Sequence, residues 1–319
     1  MFSFNKHKET PYPAEVVTTL QDLMRYEFLV QSGNLLPKHP VYAILAGRHA
    51  SKLRGRGLDF EEVRHYVPGD DIRNIDWRVT ARTGETHSKV FNEEKERPTF
   101  VVLDQSTSMF FGSQRFVKSV AAAHAASIGA FYTIKRGDRV GGIVFNEEGF
   151  DYIEPKRSKA LVQHFLQSVV NRNEVLPLRK TVQPNTDLLN AMLKRTQASI
   201  THDYVVTVIS DFSMINDETR QYLRNMANHN DVILIHIYDP MDAKLPDGKL
   251  ILSDGKHQIA WQNSKRRWGE KYEKSFTDMR QQLSSEFDRY RIPIIFFNTV
   301  ETIEDQVMHS MGKALRGKN

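Results

Sequence analysis

"FVVLDQSTSM", residues 100–109, is an apolar run that stops at a carboxylate. The run has the length and continuity of a strand buried on both faces. Asp104 ends it, and Ser106 and Ser108 follow at alternate positions. Further strand-sized runs recur downstream: "RVGGIVF" at 139–145, "DYVVTVIS" at 203–210, "VILIHIY" at 232–238 and "IPIIFFNT" at 292–299. Helical patterns over 114–135, 158–170, 187–199, 218–229, 267–290 and 302–315 separate them. A short strand is expected at 151–155, and a hairpin with Asp-Gly turns at 246–261. Continuous apolar strands alternating with helices predict a three-layer α/β fold, a doubly wound and mostly parallel sheet covered on both faces.

The chain has 319 residues, 40% hydrophobic and 26% charged, with a formal net charge of +5. Cysteine is absent, which excludes disulfides, thiol catalysis and cysteine-based zinc sites. No segment approaches the ~20 apolar residues needed to span a bilayer, and the N-terminus has no signal-like apolar core, so a cytoplasmic protein is expected. Residues 13–30 place apolar side chains on one helical face. Residues 51–97 are charged, with turn signals at "VPGDD" and "RTGET" and extended segments at 59–67 and 86–94. The expected division is an N-terminal helix and charged arm over 1–97, followed by the sheet domain over 98–319. In the arm, Arg54, Arg56, Arg64, Arg73, Arg78 and Arg82 interleave with Asp59, Glu61, Glu62, Asp70, Asp71 and Asp76. That alternation predicts mutual ion pairing rather than a phosphate-binding patch. Trp77 is expected to pack the arm against the sheet.

In open α/β sheets, ligands bind beyond the carboxyl ends of the strands. Two strands here end alike: Asp104 is followed two residues later by Ser106, and Asp211 by Ser213. Between them Thr186 stands at the mouth of a helix. One such residue would be an ordinary helix cap. Several together form an all-oxygen donor set: Asp104, Ser106, Ser108, Thr186 and Asp211. Such a set suits a hard divalent cation, Mg2+ or alternatively Mn2+ or Ca2+.

Asp104-Gln-Ser106-Thr-Ser108 with Thr186 and Asp211 resembles the metal-ion-dependent adhesion site (MIDAS) of von Willebrand factor A domains, over roughly residues 98–300. The segment "RGRGLDFEEVRHYVPGDDIRNIDWRVTARTG", residues 54–84, resembles the signature of the bacterial "domain of unknown function" family fifty-eight. The resemblance implies a von Willebrand factor A-like metal-binding domain preceded by an arm. It also implies association with a MoxR-type AAA+ ATPase, and a chaperone-like or adaptor role toward a client protein that offers an acidic residue.

Catalytic signatures are missing. An aspartyl-nucleophile phosphatase wants a second acid two residues after Asp104, where Ser106 stands. Neither Ser106 nor Ser108 has the glycines of a hydrolase elbow, and there is no phosphate-binding loop ending in Gly-Lys-Ser/Thr. No stripe of basic residues interleaved with aromatics points to nucleic acid. The expectation is thus the one the resemblance implies, a non-enzymatic, metal-dependent protein-binding role. A metal-dependent phosphoester hydrolase and a nucleic-acid-binding protein are the alternatives.

Overall fold

The computed structural model describes residues 11–32, 58–93, 97–179, 186–213, 215–246, 249–253, 258–262 and 266–313. Two compact units emerge, residues 48–96 and the remainder of the chain. The break at 96/97 lies within a residue of the expected division, but the N-terminal helix falls with the sheet rather than with the arm. Helix α1 (Leu20–Gln31) belongs to the sheet-containing unit, because Leu23, Tyr26 and Val30 are buried in that unit's core. Thr19 and Asp22 close a reciprocal capping box that starts this helix.

The larger unit is built on a six-stranded sheet. Its strands are β3 (Thr99–Asp104), β4 (Val140–Asn146), β5 (Gly149–Lys156), β6 (Val205–Ser210), β7 (Asp231–Tyr238) and β10 (Ile294–Asn298), in the order β10-β7-β6-β3-β4-β5. All neighbours pair in parallel except β5, an antiparallel edge strand. The chain winds from β3 outward to β4 and β5, then returns to the other side of β3 with β6. The switch of winding direction therefore falls between β3 and β6, where a crevice opens at the strand ends.

Alternate side chains of β3 enter opposite cores. Val101 and Leu103 pack with α1, α3 (Lys118–Lys135) and α4 (Lys159–Asn173). Phe100 and Val102 face α5 (Thr186–Ser199), α6 (Asp217–Ala227) and α8 (Arg266–Asp288). Helix α3 lies between the sheet and α1 and is buried nearly all round. This explains its run of alanines, since a helix covered on two sides needs small residues for close approach. His124 on α3 is packed between Tyr26 and Phe116, the core histidine that its alanine neighbours imply. The short α7 (Pro240–Ala243) follows β7, and α9 (Ile303–Lys313) follows β10. The predicted hairpin forms from β8 (Lys249–Ser253) and β9 (Gln258–Gln262), while its Asp-Gly turns lie outside the described residues.

In the smaller unit, β1 (Leu58–His65) pairs antiparallel with β2 (His87–Glu93). A 3-10 turn at 72–74 and helix α2 (Trp77–Thr83) connect them. The expected ion pairing is realised at Arg64–Asp70 (2.7 Å) and extends to Lys89–Asp76 (3.5 Å). Arg54 and Arg56 lie outside the described residues. Trp77 opens α2 and is 69% exposed, while Asp76 caps the helix by accepting the Arg78 and Val79 N–H groups.

Candidate metal centre

β3 and β6 run in parallel register with Leu103 beside Ile209, so their last residues emerge together. Asp104 is buried at the end of β3. Its Oδ1 accepts the Ser106 backbone N–H (2.8 Å), and its Oδ2 accepts the Ser210 hydroxyl from the end of β6 (2.7 Å). Residues 107–109 then form one 3-10 turn, with Ser106 in the capping position. The Ser106 side chain makes no capping bond there; its Oγ instead lies 3.1 Å from Ser108 Oγ. The helix-cap reading thus accounts for part of Asp104 but not for the two serine hydroxyls.

Two neighbours fix this loop. Gln105 is fully buried, donating to the Ser119 carbonyl (2.9 Å) and accepting from Asn173 Nδ2 (2.9 Å). Glu147, after β4, accepts the Thr107 backbone N–H (2.8 Å) and pairs with Arg179 (2.7 Å).

Asp211 follows β6 and is held differently. Its Oδ1 accepts the Ser213 N–H (3.1 Å) and hydroxyl (2.9 Å). Its Oδ2 takes Lys118 Nζ at 2.7 Å, with both side chains nearly buried at 6% and 7% exposure. Lys118 opens α3, where a cation stands against the helix dipole, so its acidic partners must hold it there. Asp242 on α7 is its second acid, at 3.8 Å.

The two carboxylates consequently differ in proton affinity. Burial, reinforced by the negative charge of Asp211, pushes Asp104 up to about 6. Burial also works against ionised Asp211, but the Lys118 ammonium and the Ser213 donors outweigh it and hold the carboxyl below its ordinary value. A cavity of about 290 Å3 opens beside Asp211 and Lys118, with Phe276, Met279 and Leu283 among its apolar lining. His236 also lines it. Burial pushes that imidazole down to about 4, so it is neutral at pH 7, and its Nδ1 has no hydrogen-bond partner among the described residues.

The structure brings Asp104, Ser106, Ser108 and Asp211 to one edge of the sheet. Thr186 is the first residue of α5, but its side chain and the preceding segment lie outside the described residues. The donors fit a hard divalent cation in kind, all being carboxylate or hydroxyl oxygens. No group of three or more His, Cys, Asp or Glu suited to a metal occurs among the described residues. Sequence reasoning missed Lys118, although it is the one charge ahead of residues 119–134, which contain no Asp, Glu, Lys or Arg. It also missed Ser210 and Glu147, whose positions give no sign of the contacts they make.

Comparison with known proteins places the chain in a family. Residues 62–282 match the model of DUF58, described as a protein of unknown function. The chain is 30% identical over 228 residues to the uncharacterised protein Rv1480 of Mycobacterium tuberculosis, covering 70% of this chain and 69% of that one. Among solved structures, BatB from Bacteroides thetaiotaomicron overlaps 68% of this chain and 99% of its own at 14% identity, with a TM-score of 0.40. The SpRpn10 VWA domain overlaps 67% and 95% at 12% identity, with a TM-score of 0.38. With the family model spanning most of its length and a relative matched across more than two thirds of both sequences, the chain belongs to the DUF58 family.

Proposed function

We propose that this protein is a divalent-metal-dependent protein-binding adaptor rather than an enzyme. The observation that carries the reading is the pair of buried carboxylates, Asp104 and Asp211, brought with two serine hydroxyls to the winding switch of the sheet. Asp104, Ser106, Ser108, Thr186 and Asp211 would hold Mg2+, with Mn2+ or Ca2+ as alternatives. When bound, the ion supplies an electrophilic position open to a carboxylate from another protein. The chain's own residues do the rest. Ser210 and the Ser106 N–H orient Asp104, Ser213 orients Asp211, and Glu147 steadies the turn that presents Ser106 and Ser108.

A binding role also suits the surroundings of the histidine in the adjoining cavity. His236, the histidine nearest Asp211 in the cavity, is neutral and faces aromatic rings at its other contacts. By family resemblance the partner is a MoxR-type AAA+ ATPase, and the client is a protein with an exposed acidic residue. Together they would act in the cytoplasm in assembly or maturation of other proteins. Among the described residues, no helix is long and apolar enough to cross a membrane.

The test has two arms. Calorimetric titration of the chelated protein with magnesium should show binding that Ser106→Ala and Asp104→Ala remove. A pull-down from native lysate with magnesium should capture partners that EDTA releases. Equal magnesium binding by wild type and both variants would refute the site, and magnesium-independent capture would refute the adaptor reading.

A further inference from the structure

The Lys118 ammonium sits where a second cation is least welcome. It is buried 2.7 Å from Asp211 Oδ2, while both Asp211 Oδ1 contacts come from Ser213. Each oxygen of Asp211 is therefore already engaged. Asp104, by contrast, is held among the described residues by the neutral donors of Ser106 and Ser210. A divalent ion drawn to both carboxylates meets an ammonium already seated on one of them. Like charges in a poorly solvated site repel strongly, so ion and ammonium cannot both keep Asp211 as their closest partner.

The structure also provides a place for the ammonium to go. Asp242 stands 3.8 Å from Lys118 Nζ, on the wall of the same cavity, fixed by accepting the Asp239 N–H at 2.9 Å. The lysine stem is unbranched, and the ammonium needs to travel only about 1 Å to bring Asp242 within hydrogen-bond distance.

We propose that Lys118 is the resident counter-ion of the site: it neutralises Asp211 in the metal-free protein and moves to Asp242 when a divalent ion takes Asp211. The inference rests on the metal-binding reading above and adds a regulation to it. Ion occupancy becomes coupled to the wall of the neighbouring cavity through one side chain. The ammonium lowers metal affinity and, in exchange, keeps the empty site from holding two unpaired buried carboxylates.

Two substitutions act in opposite directions. Lys118→Met keeps the apolar stem and removes the charge. Asp242→Asn removes the acceptor that receives the ammonium. Magnesium titration by calorimetry, with thermal melts in EDTA and in magnesium, reads both. For Lys118→Met the expected result is a lower melting temperature in EDTA, largely restored by magnesium, with a Kd about tenfold tighter than wild type. For Asp242→Asn a Kd about tenfold weaker is expected. Lys118→Met binding that is equal to or weaker than wild type overturns the proposal while leaving the metal site standing, as does unchanged affinity in Asp242→Asn. Absence of magnesium binding in wild type and variants alike overturns both the proposal and the reading beneath it. Should Lys118→Met fail to fold even with magnesium, Lys118→Gln is measured by the same criterion. Failure of both variants in magnesium overturns the proposal, because the ion then does not stand in for the ammonium.

Discussion

Asp104 and Asp211 end adjacent parallel strands with the same Asp-X-Ser pattern, yet they live in opposite electrostatic settings. Asp104 is held by a backbone N–H and a serine hydroxyl, and its proton affinity is raised. Asp211 is held by a buried ammonium, and its proton affinity is lowered. Desolvation opposes ionisation at both; only one has a cation to offset it. The pair shows that one repeated motif can sit in two electrostatic settings, one carboxylate with neutral donors and one with a buried ammonium.

The largest expected effect tests this asymmetry directly. In EDTA at pH 7, Asp211→Asn should lose about 3–5 kcal/mol, because it removes the closest acid from the buried Lys118 and leaves Asp242 and Asp104 farther off. Asp104→Asn should melt level with wild type or above it, since it removes the carboxylate that lacks a cation. The Ser210 hydroxyl can rotate to suit the new amide. Equal losses in the two variants would break the comparison.

The pH dependence follows from the raised Asp104 value. The folded state binds the extra proton between the ordinary 3.8 and about 6, so stability falls as pH rises through that window. Buried His124 and His236, each pushed down from 6.5 to about 4, act the other way, and their contribution is lost as pH falls. Wild-type melts alone therefore mix opposing slopes. The difference between Asp104→Asn and wild type in EDTA should widen by about 2 kcal/mol from pH 4 to pH 7. A flat difference would mean Asp104 titrates normally.

Magnesium at a hundredfold excess over Kd should stabilise wild type by about 2.7 kcal/mol, and Asp104→Ala by nothing measurable in the same melts. Ser213→Ala should cost about 1 kcal/mol by removing one of two donors to Asp211 Oδ1. Trp77→Ala, in the exposed face of the smaller unit, should change the melting free energy by less than about 0.5 kcal/mol. A large loss there would mean that the indole is buried in solution.

By itself the sequence determined the layered α/β architecture, because burial on both faces demands continuous apolar strands, and 99–104, 205–210 and 231–238 carry them. Parallel strands also put both Asp-X-Ser segments on the carboxyl edge of the sheet, but only the strand order of the folded protein sets β6 beside β3. The packing of α1 and the exposure of Trp77 were not legible. An amphipathic helix states that it has an apolar face but not what covers it, and an aromatic residue in a charged segment does not state whether it is covered at all. Nor was Lys118 legible as the partner of Asp211, 93 residues away. Only the tertiary structure decided that pairing, and with it the two proton affinities, because charge states in a desolvated site depend on which groups the fold brings within a few ångströms.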